Sequence, residues 1–102
     1  MKIHLTEEVA SEIRYKMGVL SETDDLMDDY GVSEDEVMDL ISSIPKEGEW
    51  EVPLEHMKMV MEECQNHADI LFHQMRQAMK EGKILQAKNI GALIKEFDNL
   101  FA

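Results

Sequence analysis

Positive charge is scarce in this chain. Ten Lys and Arg face twenty-two Asp and Glu, for a formal net charge of −12. That balance opposes binding to nucleic acid or an anionic membrane and favours basic surfaces reached within a Debye length of ~8 Å. A single cysteine, Cys64, excludes an intrachain disulfide and fits a reducing cytoplasm. No apolar run approaches the ~20 residues that span a bilayer, and no basic segment leads into an apolar one as in a secretory leader. A cytoplasmic protein with no membrane contact is therefore expected. Six aromatics among 102 residues leave a core built from aliphatic side chains and nine methionines, whose flexible thioethers tolerate irregular packing. Both prolines, Pro45 and Pro53, bracket one short segment.

Helical periodicity fills most of what remains. Leu5, Val9, Ile13, Met17 and Leu20 recur every three or four residues behind a capping Thr6, with Glu7 and Glu8 in the first turn. A short second helix fits Glu22 to Asp29, with Leu26 and Met27 inward and Tyr30-Gly31 as its stop. Ser33-Glu34-Asp35-Glu36 is a capping box that opens a third helix, whose inward stripe is Val37, Leu40, Ile41 and Ile44 and which ends at Pro45. Residues 45–53 read as a linker with a short extended piece around Trp50 and Val52, Trp50 folding back onto a core. From Leu54 to Lys80, Met57, Met61, Cys64, Ala68, Leu71, Met75 and Ala78 alternate spacings of four and three, a heptad seam of just over three repeats. Gly82 breaks that helix, and Ile84, Leu85, Ile90, Ile94, Phe97 and Phe101 follow on one side of a last one.

The expected fold is all-α and contains no strand. A single domain, 1–102, comprises an acidic three-helix unit (1–44), the linker (45–53) and a helical αα-hairpin (54–102). The seam of Met57, Met61, Cys64, Ala68, Leu71 and Met75 is expected to form the hairpin's own core or to pair with a second copy as a homodimer.

Charge is concentrated in the first half, where fourteen acids face four bases between residues 1 and 50. Nine of those acids lie between Glu22 and Asp39, a stretch without Lys or Arg. The helix dipole accounts for Glu22, Asp24, Glu34, Asp35 and Glu36, all in first turns, where a carboxylate gains ~0.3 to 1 kcal/mol. It does not account for Asp24 with Asp28, Asp25 with Asp29, or Asp35 with Asp39. These like-charged i, i+4 pairs each cost a few tenths of a kcal/mol, and no lysine relieves them. Two readings follow: a solvated acidic face, or a docking face for a basic partner made of Asp24, Asp25, Asp28, Asp29, Glu34, Asp35, Glu36 and Asp39.

Leu26, Gly31, Val32, Ser33, Val37 and Leu40 or Ile41 match the pattern of a helix-turn-helix, and residues 25–41 resemble that segment of repressors and sigma-type regions. The resemblance implies DNA reading by the start of the second helix, flanked by bases that neutralise phosphates. Here the leading positions are Glu34, Asp35 and Glu36. A carboxylate 8 Å from a phosphate costs about 0.5 kcal/mol even in bulk water, so no direct nucleic-acid contact is expected through this element. In size, acidity and helicity, though by no motif, the chain is similar to phage anti-restriction and anti-CRISPR inhibitors. That likeness implies an inhibitor or regulator whose carboxylates imitate DNA phosphates or bind another basic patch. The alternative is a dimeric helix-turn-helix transcription factor using Arg14, Lys16 and the hairpin lysines.

Other chemistry has little behind it. An EF-hand register ending at Glu36 puts Met27 at the third position and Tyr30 where glycine is required. Cys64 with His67 and Glu63 with His67 share a face of the long helix, but His73 lies half a turn away and a fourth ligand would have to come from His56 or elsewhere. Cys64 as a small seam hydrophobe, with Asp69 paired to His73, is the simpler account. No Gly-rich turn or oxyanion donors accompany the thiol, so neither enzyme activity, metal nor cofactor is expected.

Overall fold

A computed structural model describes residues 1–23 and 25–101, without the side chains of Asp25 and Met27. In chain order the elements are β1 (Lys2–Leu5), α1 (Glu7–Ser21), α2 (Asp25–Tyr30), α3 (Glu34–Ser43), β2 (Gly48–Glu51), a 3-10 turn (Leu54–His56), α4 (Met57–Lys80) and α5 (Ile84–Asn99). The chain is thus mostly helical, with a small two-stranded sheet.

That sheet corrects the expectation of no strand. β1 and β2 pair antiparallel, with Ile3 opposite Trp50 and Leu5 opposite Gly48. Each strand alternates in the manner of a half-buried ribbon: Ile3, Leu5 and Trp50 point inward while Lys2, His4, Glu49 and Glu51 face solvent. Leu5 therefore belongs to a strand and not to the first helix. Trp50 is 2% exposed and Val52 1%, and the Trp50 indole N–H donates to Ser43 Oγ at 3.1 Å, so residues 48–52 are bound into the core. The Arg14 guanidinium donates to the Pro45 carbonyl at 3.1 Å and fixes the start of the same segment.

Local capping explains the helix boundaries. Thr6 Oγ accepts from Val9 N–H, and Ser33 Oγ accepts from Glu36 N–H at 3.2 Å, each meeting one of the orphan donors of a first turn. The turn between α2 and α3 passes through Gly31 at φ 63°, in the left-handed region that glycine enters at no steric cost. α4 ends in a Schellman arrangement: Lys83 N–H reaches the Ala78 carbonyl at 2.8 Å and Gly82 N–H the Met79 carbonyl at 3.1 Å, with Gly82 at φ 73°. The helical reading of Leu54 to His56 is replaced by the 3-10 turn, after which α4 proper begins.

One apolar cluster joins the two halves of the chain. Leu5, Val9, Ile13 and Met17 lie at its centre with Val37 and Leu40 of α3, Met59, Val60, Cys64 and Leu71 of α4, and Phe97 of α5. α5 returns antiparallel to α4. Gly91 lies across from Met75, whose sulfur stands 3.4 Å from the place a β-carbon at Gly91 would occupy. Phe97 meets His67 edge-on, ring centres 5.4 Å apart. Thr6 O–H donates to Glu96 at 3.2 Å, tying α5 to the start of α1.

Candidate functional site

α2 and α3 lean on the core by few side chains. Leu26, Val32, Val37, Leu40 and Ile44 are buried, and the other residues of α3 are exposed or half-buried. The buried positions of α3 fall on one side of the helix, so Asp35, Met38, Asp39 and Ser42 are turned to the opposite side. Met38 is 49% exposed there, an apolar side chain set among carboxylates.

The residues named from the sequence divide as follows. Asp28, Asp29, Glu34, Asp35, Glu36 and Asp39 are all exposed. Asp24, and the side chain of Asp25, lie outside the described residues. None of the six exposed carboxylates takes part in an ion pair or hydrogen bond among the described residues.

Carboxylates elsewhere in the chain are mixed: Glu8, Glu22, Glu47, Glu49, Glu55, Asp69 and Asp98 likewise lack an ion pair or carboxylate hydrogen bond among the described residues, whereas the others are held by partners. Glu12 Oε2 sits 2.7 Å from His67 Nε2, and Glu63 lies 3.7 Å from the Lys16 ammonium while accepting the Tyr30 hydroxyl at 3.0 Å. Glu7 faces Lys46, Glu51 the N-terminal amine, Glu62 Lys58 and Glu81 Lys83, at separations between 3.4 and 4.0 Å. Glu63 and His67 are each 6% exposed, and polar side chains so buried are tolerated only with partners. Burial, with the hydrogen bond to Glu63 added, raises the Tyr30 phenol above its ordinary 10.0.

Sequence reasoning missed this buried polar pairing. Glu12 and Lys16 are i, i+4 on α1, and Glu63 and His67 are i, i+4 on α4. The helices run antiparallel, so Glu12 meets His67 and Lys16 meets Glu63 as two successive rungs. The spacing was visible in the sequence, but nothing local says which helices meet. The Asp69–His73 pair is absent among the described ion pairs, and His73 instead stands edge-on to Phe72.

Cys64, Ala68 and Leu71 of the heptad seam are buried, Met57 and Met75 are half-buried, and Met61 is 42% exposed. α4 is covered on two sides, by α1 through Glu63 and His67 and by α5 through Ala68, Met75 and Ala78, which is why its buried band is wider than one seam. Met61 lines an open groove of about 710 Å³ with Lys58, Glu62, Phe97 and Phe101. Cys64 also borders it, but burial, with the Glu63 charge adding, pushes its thiol up to about 12. The protonated thiol is a poor nucleophile and a poor metal ligand. Among the described residues no three His, Cys, Asp or Glu side chains converge as a metal site would require.

The outer halves of α4 and α5 form a second groove, of about 590 Å³. Phe72, Met75, Met79, Ile84, Ala87 and Ile94 are among its lining residues, with Lys88 and Lys95 on its rim. Phe72, Met79 and Ile84 are each about half exposed, at 46%, 57% and 57%. No helix among the described residues is long and apolar enough to cross a membrane. Comparison with protein-family models, with curated proteins and with solved structures returns no match for this chain.

Proposed function

We propose that this is a non-enzymatic interaction protein that works by docking an acidic face, Asp28, Asp29, Glu34, Asp35, Glu36 and Asp39, onto a basic surface of a protein partner. The observation that carries the reading is the concentration of exposed carboxylates on α2 and α3, in a stretch, residues 22–39, that holds no Lys or Arg. Glu7, Glu51, Glu62, Glu63 and Glu81 have cationic partners within the chain and Glu12 pairs with His67, while Asp28, Asp29, Glu34, Asp35, Glu36 and Asp39 stand exposed together without any among the described residues. Solvating surfaces commonly mix signs, and uncompensated like charges lower stability slightly, so retaining them fits a partner that supplies the missing cations. Met38 gives the face an apolar contact point of the kind that anchors a charged rim.

On this reading α1 to α3 act as an acidic three-helix unit and α4 with α5 as the hairpin that carries it. The partner is a basic protein, and a nucleic-acid-binding groove, whose phosphates the carboxylates would replace, is one such surface. The protein would then inhibit or regulate it. DNA reading by α3 is disfavoured by the exposed carboxylates at its leading end.

A pull-down from nuclease-treated lysate of the source cell tests the proposal. A basic partner retained at ~50 mM salt and released at ~500 mM supports it, because exposed charge pairs are screened over that range. Retention that is indifferent to salt counts against it.

A further inference from the structure

We propose that the groove between the outer halves of α4 and α5 receives the acidic α3 of a second copy of this chain. The inference rests on the reading of α2 and α3 as a docking face and assigns that face a second occupant.

The groove carries the opposite charge to the rest of the molecule. Between residues 70 and 95 there are five bases, Arg76, Lys80, Lys83, Lys88 and Lys95, and one acid, Glu81. The remaining chain holds five bases against twenty-one acids. No Asp or Glu lines the groove, and Lys88 and Lys95 border an apolar floor. Arg76 lies over Phe72, one of the lining residues, its guanidinium 5.9 Å from the ring centre, which puts a further cation beside that ring. An apolar trough edged by lysines fits a helix that shows an apolar residue between carboxylates. The outward side of α3 has that pattern: Met38 with Asp35, Asp39 and Ser42 around it.

Geometry sends this helix to another copy's groove. Glu63 holds Tyr30 at the end of α2, whereas the groove runs from Phe72 past Met79, ~14 to 24 Å further along α4 at 1.5 Å per residue. α3 itself packs against α1. Groove-to-groove pairing would set lysine against lysine within a Debye length of ~8 Å, so the oppositely charged arrangement is favoured. Each copy presents this lysine-edged groove and one α3, and a two-fold pair in which each α3 fills the other copy's groove leaves neither of the two grooves open.

Sedimentation of the full chain tests this, with two exposed-surface variants, Lys88→Glu/Lys95→Glu in the groove rim and Asp35→Lys/Asp39→Lys on α3. The wild type should dimerise at ~50 mM salt, with affinity at least ~10-fold weaker at ~500 mM. Each variant alone should be monomeric and helical by circular dichroism, and their equimolar mixture should form a heterodimer, because the swapped charges are again complementary. A wild type that stays monomeric at ~1 mM protein and low salt, a dimer that persists in either variant, or a mixture that fails to associate overturns the inference. Capture of the basic partner by Lys88→Glu/Lys95→Glu separates the two proposals, since it should persist whether or not the copies associate.

Discussion

Glu12 of α1 and His67 of α4 meet at 2.7 Å, one helical turn from Lys16 and Glu63 at 3.7 Å, so two polar rungs join helices that otherwise pack through apolar side chains. Tyr30 closes the second rung from α2. The acidic unit is thereby locked to the long helix by hydrogen bonds with fixed geometry, which holds the α2 end of the outward-facing carboxylates against the scaffold.

Removing one member of a buried pair strands the other. Lys16→Met leaves Glu63 with the Tyr30 hydroxyl alone and is expected to cost about 2 kcal/mol, within the range for a buried polar group that loses a partner. Lys16→Met combined with Glu63→Met should regain at least half of that loss, because two apolar side chains need no pairing. Urea unfolding of the two single variants and the double variant measures both effects.

Much of this framework is legible in the sequence, and the portion that is not has a common cause. Thr6, Ser33, Gly31 and Gly82 act within a few residues of where they stand, so caps and turns can be read directly. The β1–β2 pair joins Ile3 to Trp50, and four alternating residues carry too little signal when the partner strand is more than forty residues away. Glu63 and His67 are charged or titratable residues on a helix whose apolar heptad attracts the eye, and their burial depends on α1 arriving with Glu12 and Lys16. Exposure of Asp28, Asp35 and Asp39 agrees with the polar side of an amphipathic pattern, whereas exposure of Met61 does not follow from the heptad.

The Tyr30 phenol gives stability a dependence on alkaline pH. Its pKa is raised in the folded chain above the ordinary 10.0, so the folded state holds this proton more tightly than the unfolded one. The resulting stabilisation is complete below about pH 10 and is lost as pH rises through the folded value. Tyr30→Phe should unfold less steeply than the wild type above pH 10, seen as converging urea midpoints.

Cys64 reports on the closure of the core. With its pKa pushed up to about 12 from 9.0, the thiolate fraction at pH 8 falls by ~10³, and burial limits access further. A thiol reagent should label the folded chain at least a hundredfold more slowly than the denatured chain. Fast labelling under native conditions would show that α4 and α5 separate readily near Phe97.

Gly82 closes α4 at φ 73°. Gly82→Ala should cost about 1 kcal/mol from left-handed strain alone, since the structure shows open space where its β-carbon would lie. A shift in the thermal midpoint with unchanged helicity is the expected result.

We propose Asp28, Asp29, Glu34, Asp35, Glu36 and Asp39 as a docking face. The most direct test of that proposal compares wild type and Asp28→Lys/Asp29→Lys/Asp39→Lys as bait in the same nuclease-treated lysate, with circular dichroism confirming equal helicity. The account predicts that the reversed variant stays folded and loses the salt-sensitive basic partner. Equal capture by both proteins would contradict it and leave the acids of α2 and α3 as a solvated surface.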